Sequence, residues 1–170
     1  MGPAGTVHQI KVSLDGVDPQ VWRRVELEST ATLGGLHTVI QHAMGWWDTH
    51  PHEFTIEGVG DVADEGEVLL TDVAPAGTTF GYVYDFGDSW EHTVEVERVG
   101  PADADVKYPR CLGGARECPP EDSGGAHGYR ELLEVLGDPD HPDHHEMQEF
   151  VGDDFDPEAF DVDDCTDRLR

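Results

Sequence analysis

The stretch YDFGDSWEHTVEVE, residues 84–97, combines a tight turn with the strand that follows it. Aspartate and glycine at residues 85–88 favour a turn, because aspartate side chains bond nearby backbone amides and glycine accepts left-handed geometry. From Trp90 onward apolar and polar residues alternate, which predicts a half-buried strand. His92 has the same phase as Trp90, so its side chain is predicted to point into the packed face of the sheet.

The sequence before this hairpin predicts the rest of a sheet and a helix. Alternation predicts strands at residues 7–14, 21–29 and 52–56. Apolar residues at helical spacing predict a helix over 33–44, with Thr32 as its N-cap. The order of a hairpin, a helix and further strands predicts an α+β fold. We expect a β-grasp-like mixed sheet with a helix across one face and C-terminal helices packed on it.

The length of 170 residues fits a single domain over 1–170. Residues 6–100 are predicted to form its sheet-and-helix core. Residues 101–127, rich in cysteine, proline and glycine, are predicted to form an ordered, irregular loop. Residues 128–170 are acidic and contain apolar residues at helical spacing, which predicts a helical C-terminal part.

The composition is strongly acidic, with 37 Asp and Glu against 10 Lys and Arg and a net charge of -27. Such a charge repels phosphate backbones, so we expect no direct nucleic-acid binding. The acidity has two interpretations, adaptation to a high-salt cytoplasm or a genome whose base composition favours aspartate codons. The first interpretation is favoured, because acids this dense would repel one another and destabilise the folded chain at low salt. The sequence has no apolar run long enough to span a membrane and no secretory signal, so we expect a cytoplasmic protein.

Cysteines and histidines suggest a possible structural zinc site. Cys111 and Cys118 are separated by six residues, more than the about two to four of common zinc knuckles, but the glycines between them allow the chain to fold back. Zinc needs two further ligands, and His92, His127 and Asp122 are the nearest candidates by chemistry. The competing interpretation is that the cysteines are buried thiols and that His92 is a core histidine bonded to a carbonyl oxygen.

His50 and His52 form an alternative pair of metal ligands. Residues two apart in a strand point to the same side, although Pro51 disfavours regular strand geometry at His50. A metal at this pair would support a metal-dependent, hydrolase-type enzyme, which is the alternative hypothesis for function. The sequence contains no phosphate-binding loop, nucleophile elbow or dinucleotide fingerprint, so no catalytic residue is predicted.

The favoured hypothesis is a non-enzymatic binding or adaptor module for an unknown protein or small-molecule partner. Its surface is predicted in a groove between the hairpin at residues 84–92 and the loop at residues 118–125. Aromatic side chains would supply apolar contact and carboxylates polar contact. The predicted surface residues are Trp46, Trp47, Tyr84, Asp85, Asp88, Trp90, Glu121 and Asp122.

Several specific segments occur in order along about residues 6–169, among them VWRRVELEST, TLGGLHTVIQHAMGW, YDFGDSWEHTVEVE and YPRCLGGARECPPEDSGGAHGY. In this order they resemble the Ri-plasmid open-reading-frame-three-like family, whose members are often carried by plasmids or insertion elements. The resemblance implies a compact α+β domain and brings no established activity. A resolvase label on some members implies a third hypothesis, a transposon-related DNA-processing accessory protein. Ser123 stands where members often have a third cysteine or an apolar residue, which weakens a three-cysteine zinc site.

Overall fold

The strands form one antiparallel sheet in the computed structural model, which describes residues 5–62 and 64–170. Its order is β4-β3-β5-β6-β1-β2-β7. The β5–β6 hairpin, which contains the stretch at residues 84–97, therefore lies in the middle of the sheet. Within the described residues the strands are β1 (Thr6–Leu14), β2 (Trp22–Glu28), β3 (His52–Ile56), β4 (Gly60–Asp61), β5 (Thr79–Tyr84), β6 (Trp90–Pro101) and β7 (Arg110–Ala115).

Helices accompany the sheet, mostly in the C-terminal part of the chain. The predicted N-cap of the first helix is confirmed, because Thr32 Oγ1 accepts a hydrogen bond of 3.0 Å from Gly35 N. None of the helices among the described residues is both long and apolar enough to cross a bilayer. The helices are α1 (Leu33–Met44), α2 (Leu70–Val73), α3 (Gly125–Leu136), α4 (His144–Val151) and α5 (Val162–Arg168), with a 3-10 turn at Glu65–Glu67.

The predicted α+β class is confirmed, but the predicted β-grasp-like detail is not. A mixed sheet contains at least one parallel pair, whereas each pairing between described strands is antiparallel. At the centre, β1 and β6 run in opposite directions, with Val7 opposite Gly100 and Leu14 opposite His92. Periodicity predicts that a segment is a strand but carries no information about the direction of its neighbour.

The predicted irregular loop at residues 101–127 contains a strand, β7, that pairs with β2 at the edge of the sheet. Alternation does not reveal this strand because glycines occupy its middle. A Cβ added at Gly114 would lie 2.6 Å from the Trp22 carbonyl oxygen and 2.8 Å from the Phe160 ring. The missing side chain therefore allows β7 to pack tightly between β2 and the C-terminal segment.

The C-terminal end of α1 is fixed by a buried arginine on β2. Arg23 donates hydrogen bonds of 2.8 Å to the Ala43 carbonyl and 3.1 Å to the Ala115 carbonyl. The last carbonyls of a helix have no partner within the helix and carry partial negative charge, so a guanidinium is well suited to them. Gly45 then takes a φ of 111° and turns the chain out of the helix. This arrangement sets the starting point of the segment 46–51.

Candidate metal centre

Three loops meet beside the end of α1. They are the segment 46–51 after α1, the turn 85–89 between β5 and β6, and the segment 117–124 before α3. Each pair is joined by one hydrogen bond: Trp47 N to Glu121 Oε2 (2.8 Å), Asp85 N to the Pro51 carbonyl (2.8 Å) and Gly124 N to Asp88 Oδ2 (3.2 Å).

The hairpin and the 118–125 loop, which are predicted to flank a groove, pack directly against each other at Asp88 and Gly125. Gly125 has a φ of 74°, and a side chain there would collide with the Asp88 carbonyl. The two glycines that end the loop thus allow its close approach to the turn. The polar residues of the predicted surface are brought together here, but as a packed junction of loops.

Three predicted surface aromatic residues are core residues instead. Trp46, Tyr84 and Trp90 are buried, and the Trp46 ring lies 5.2 Å from both the Tyr84 and the Trp90 rings. The reason is strand phase, since Tyr84 and Trp90 lie on the packed face of β5 and β6. Trp47 differs, because it is 79% exposed. Only this tryptophan of the predicted set therefore offers apolar surface to a partner.

His50 faces carboxylate oxygens from two other loops. Its Nε2 lies 2.9 Å from Asp122 Oδ1, 3.5 Å from Asp85 Oδ2 and 4.0 Å from Glu121 Oε1. We call these four residues the His50 cluster. His50 Nε2 and Glu121 Oε1 are both shielded from solvent and have no aligned hydrogen bond to any described residue. The short contact with Asp122 thus lacks the geometry of a hydrogen bond.

Glu121 is oriented by donors on its other oxygen. Glu121 Oε2 accepts hydrogen bonds from Trp47 N (2.8 Å) and from the Tyr84 hydroxyl (2.9 Å). Burial raises the pKa of Tyr84 to about 12, so its hydroxyl keeps its proton and donates. The same hydroxyl accepts from Thr49 N at 3.0 Å. These bonds leave Glu121 Oε1 facing His50.

Asp85 follows the same pattern. Its Oδ1 accepts from Gly87 N (3.0 Å) and Asp88 N (3.3 Å), as the turn composition predicts, which leaves Oδ2 facing His50. Asp85 and Asp122 have φ values of 66° and 59°, in the left-handed region that few residues other than glycine occupy. Such backbone is frequent at functional sites, where the surroundings hold it in place.

The donor atoms of His50, Asp85 and Asp122 are spaced as ligands of a single ion, and Glu121 Oε1 lies beside them. Metal–ligand bonds of about 2.0–2.2 Å place the ligand atoms about 3–4 Å apart. The three distances from His50 Nε2, 2.9 to 4.0 Å, fit this spacing. The ligand atoms of His50, Asp85 and Asp122 all lie within 4.8 Å of one another. One imidazole nitrogen with carboxylate oxygens suits a divalent ion such as zinc or manganese.

The predicted zinc ligands His92 and His127 lie apart and have other partners. His92 Nε2 accepts from Trp46 Nε1 (3.2 Å), so Nδ1 carries the proton and donates to the Tyr82 carbonyl (3.2 Å). Burial lowers the pKa of His92 to about 4 and keeps it neutral. His127 is exposed on α3 and lies 3.2 Å from Glu131. His92 is thus the carbonyl-bonded core histidine of the competing interpretation.

The predicted cysteine ligands are buried thiols. Cys111 and Cys118 lie in the core with Cys165, and the Cys111 thiol donates to the Gly113 carbonyl at 3.3 Å. Burial raises the pKa of Cys118 well above its usual value. Among the described residues no cysteine belongs to a group of three or more clustered metal-ligating side chains. The structure therefore does not assemble the four ligands of the predicted zinc site.

His52, the other half of the predicted histidine pair, belongs to a separate group with His37 and Asp48. The His37 and His52 rings stack with centroids 3.4 Å apart, and each ring has a carboxylate partner. His37 Nε2 lies 3.0 Å from Asp48 Oδ1, and His52 Nε2 lies 2.7 Å from Glu65 Oε1. The imidazole nitrogens that face these carboxylates are thus already paired within the protein, unlike those of the His50 cluster.

Sequence reasoning selected all four members of the His50 cluster but distributed them between two hypotheses. His50 was an alternative metal ligand, and Asp85 and Glu121 were polar contacts of a binding surface. Asp122 was both a polar contact and a candidate ligand of the cysteine zinc site. His37, Asp48 and Glu65 were not predicted at all. The pattern D-T-H-P-H at residues 48–52 was the available signal, because it supplies one ligand to the His50 cluster and two to the stacked group.

Comparisons with known proteins agree with this fold. The family model described as plasmid pRiA4b ORF-3-like protein matches residues 6–164. The chain is 43% identical over 159 residues to the uncharacterised protein y4hQ of Sinorhizobium fredii, covering 86% of this chain and 81% of that protein. A crystal structure of a protein of unknown function, MM3350 from Methanosarcina mazei Go1, matches with a TM-score of 0.88 and 39% identity. That match covers 94% of this chain and 97% of the other.

Proposed function

The chain belongs to the plasmid pRiA4b ORF-3-like family, and from the His50 cluster we propose that it is a binding module that depends on a divalent metal ion. Zinc or manganese would bind to His50, Asp85 and Asp122, with Glu121 Oε1 beside the ion. The ion would hold together three loops, one of which carries exposed Trp47. A partner, either a protein or a small molecule, would bind to the surface that these loops form.

The unpartnered pair of buried atoms carries this proposal. His50 Nε2 and Glu121 Oε1 face each other at 4.0 Å without hydrogen bonds to described residues. A buried polar atom left unpaired costs about 1–3 kcal/mol, so two neighbouring ones need an explanation. A protonated imidazole would resolve the problem only in part, since Nε2 carries one hydrogen and can pair with one of the three carboxylate oxygens around it. A divalent ion would bind the nitrogen and the oxygens at once.

The proposed ion would act as a clip between loops that contain few apolar residues. Its ligands come from three segments that are distant in sequence, so the site exists only in the folded chain. Metal binding would therefore stabilise the folded state by mass action. Because Trp47 N donates to the same carboxylate that faces the ion, the metal would also fix the position of Trp47. Partner binding at this surface would then depend on the metal.

Metal analysis of purified, tag-free protein tests the proposal. We expect about one zinc or manganese per chain, and calorimetric titration of chelator-treated protein should recover it. His50→Ala should raise the Kd for the metal by about 100-fold or more, because loss of only a hydrogen-bonding partner of a ligand already costs about 10–100-fold. Glu121→Gln should raise the Kd by at least about tenfold. His145→Ala, on the exposed face of α4, is the matched control.

Cys111→Ser separates this site from the zinc site predicted from the cysteines. We expect Cys111→Ser to retain the metal, because Cys111 lies outside the His50 cluster. Metal loss in Cys111→Ser with full retention in His50→Ala would overturn the proposal in favour of the cysteine site. Protein that binds neither metal would overturn both.

A metal-dependent hydrolase is the second candidate function, and one observation favours it. The Asp122 side chain is 68% exposed, so one side of the cluster is open to solvent. A metal with three protein ligands and a water is the usual catalytic arrangement, since the ion lowers the pKa of the water to about 7. Assays of the metal-loaded protein with p-nitrophenyl esters and phosphodiesters test it. Turnover that His50→Ala abolishes would support an enzyme, and metal-loaded protein without turnover would leave the binding module.

A further inference from the structure

A groove between α3 and α4 has an apolar floor and an acidic rim. Its volume is about 470 Å³, within the range of ligand-binding clefts. Phe150 on α4 is 49% exposed in this groove. The apolar lining residues are Leu132, Val135, Met147 and Phe150, and the acidic ones are Asp122, Glu131 and Asp143.

The floor is made by one face of each helix. Met147 and Phe150 lie three residues apart on α4, so their side chains share a face. His144 holds the start of α4 against the end of α3, because its Nδ1 donates to the Val135 carbonyl at 3.0 Å. None of the residues of α4 is fully buried. An apolar patch with a polar rim is typical of a surface that binds a partner.

The charge around the groove selects the kind of partner. Its lining residues include three acids and neither lysine nor arginine. The whole chain carries a net charge of -27, which adds to the negative potential there. A second copy of this chain, a nucleic acid or an acidic peptide would be repelled, whereas a basic partner would be attracted.

We propose that the α3–α4 groove binds a basic amphipathic helical segment of a partner protein. Apolar side chains at helical spacing would lie on Leu132, Met147 and Phe150. Lysine or arginine side chains beside them would pair with Glu131 and Asp143. The inference rests on the proposed binding module and names its partner class. Residues 122–124 line the groove and also include a member of the His50 cluster, so the two sites share one wall.

Calorimetry with designed peptides tests this proposal. The probe is a peptide of about 18 residues in which leucine and lysine are placed to form an amphipathic helix. We expect saturable binding with one peptide per chain that weakens as salt increases. A peptide with glutamate for lysine should not bind, and one with the same composition in shuffled order should bind at least about tenfold more weakly. Equal affinity for the glutamate or the shuffled peptide would overturn the proposal.

Variants locate the binding surface. Phe150→Ala should raise the Kd by about tenfold, and Glu131→Gln with Asp143→Asn should do the same. Val99→Ala and Glu57→Gln, at exposed positions outside the groove, should leave the Kd unchanged. If a groove variant fails to fold, amide chemical-shift mapping on the unmodified protein gives the answer. Shifts confined to α3 and α4 would support the groove, and shifts elsewhere would overturn it.

Metal content separates failure of this inference from failure of the metal site. Phe150→Ala should bind zinc or manganese like the unmodified protein, because Phe150 is not a ligand. Metal binding without peptide binding would overturn the groove alone. Saturable peptide binding by protein that binds no metal would support the groove and overturn the metal dependence.

Discussion

At the residue scale, the orientation of the carboxylates in the His50 cluster depends on the hydrogen bonds to the oxygen that faces away from His50. Glu121 and Asp85 each have one oxygen bonded by two donors and the other facing His50. Hydrogen bonds to the outer side of a ligand fix its orientation and tune its affinity for a metal. The positions of Tyr84 and of the 85–89 turn therefore matter to the site as much as the ligands do.

Tyr84→Phe should weaken metal binding without removing a ligand. It deletes the 2.9 Å hydrogen bond to Glu121 Oε2 and leaves Trp47 N as the remaining donor. We expect the Kd for zinc or manganese to rise by about tenfold, measured by calorimetry on chelator-treated protein. Tyr108→Phe, whose hydroxyl accepts from Asp103 N away from the cluster, is the control. Equal Kd values for both variants would contradict this role of Tyr84.

His92 should make stability depend on pH. Burial lowers its pKa to about 4, whereas in the unfolded chain the value is about 6.5. Above pH 6.5 both states are neutral. As the pH falls from 6.5 to 4 the unfolded chain binds a proton that folded His92 excludes, so its contribution to stability falls by about 3 kcal/mol.

His92→Gln isolates this effect, because glutamine can still accept from Trp46 and donate to the Tyr82 carbonyl. Urea unfolding between pH 7 and pH 4 should show a smaller loss of stability for His92→Gln than for the unmodified protein. His145→Gln, exposed on α4, should behave like the unmodified protein. Burial also lowers the pKa values of His8 and His37, so part of the pH dependence should remain. An unchanged slope in His92→Gln would show that His92 is not the group responsible.

At the scale of elements, β7 packs tightly between β2 and the C-terminal segment because its glycines have no side chains. Gly114 faces Trp22 and Phe160 with no room for a Cβ, whereas a Cβ at Gly113 would meet the Trp22 ring at an ordinary 3.7 Å. Adjacent glycines in one strand thus have different roles, and a matched pair of variants can separate them.

Gly114→Ala should destabilise the protein by about 1–3 kcal/mol, the usual cost of overpacking a well-packed site. Gly113→Ala should change stability by less than about 1 kcal/mol, because its contact distance is normal. Urea unfolding of both variants measures the difference. Hydrogen exchange should also show faster opening of β7 and α5 in Gly114→Ala only. Equal stability of the two variants would mean that β7 does not pack as closely as described.

Periodicity predicted the elements whose apolar residues recur regularly and missed β7, whose residues do not. The strand that begins at Trp90 and the helix over 33–44 were predicted because burial repeats along them every two or about 3.6 residues. The strand β7 has glycine where alternation would be visible, so no pattern existed to find. Strand direction was missed for a different reason, since it depends on which elements meet in space.

The His50 cluster could be predicted only as separate residues. Its members come from positions 50, 85, 121 and 122, and their meeting depends on the turn after α1 and on the contact between Gly125 and the 85–89 turn. Neither is visible as a repeat in the sequence. Only one local contact of the cluster was predicted from composition alone. It is the hydrogen bond from the turn amide of Gly87 to Asp85.

At the scale of the whole molecule, the charge of -27 opposes the compact state. The proposed metal site and the proposed basic partner would both relieve this repulsion locally, since each adds positive charge beside carboxylates. Over the remaining surface acids outnumber bases, so the cost of the net charge depends on screening by salt.

Stability should therefore rise with salt, and the range of the rise separates the two interpretations of the acidity. The Debye length falls from about 30 Å at 0.01 M to about 10 Å at 0.1 M and about 3 Å at 1 M, so plain screening is largely complete by about 0.1–1 M. Adaptation to a high-salt cytoplasm predicts that the free energy of unfolding continues to rise in molar KCl, whereas base composition alone predicts a plateau.

Urea unfolding in KCl with excess chelator measures this without a contribution from metal. Asp153→Asn with Asp154→Asn, at exposed positions, should reduce the deficit at low salt by lowering the net negative charge. Equal stability at 0.01 M and 2 M KCl would contradict both the self-repulsion argument and the high-salt interpretation.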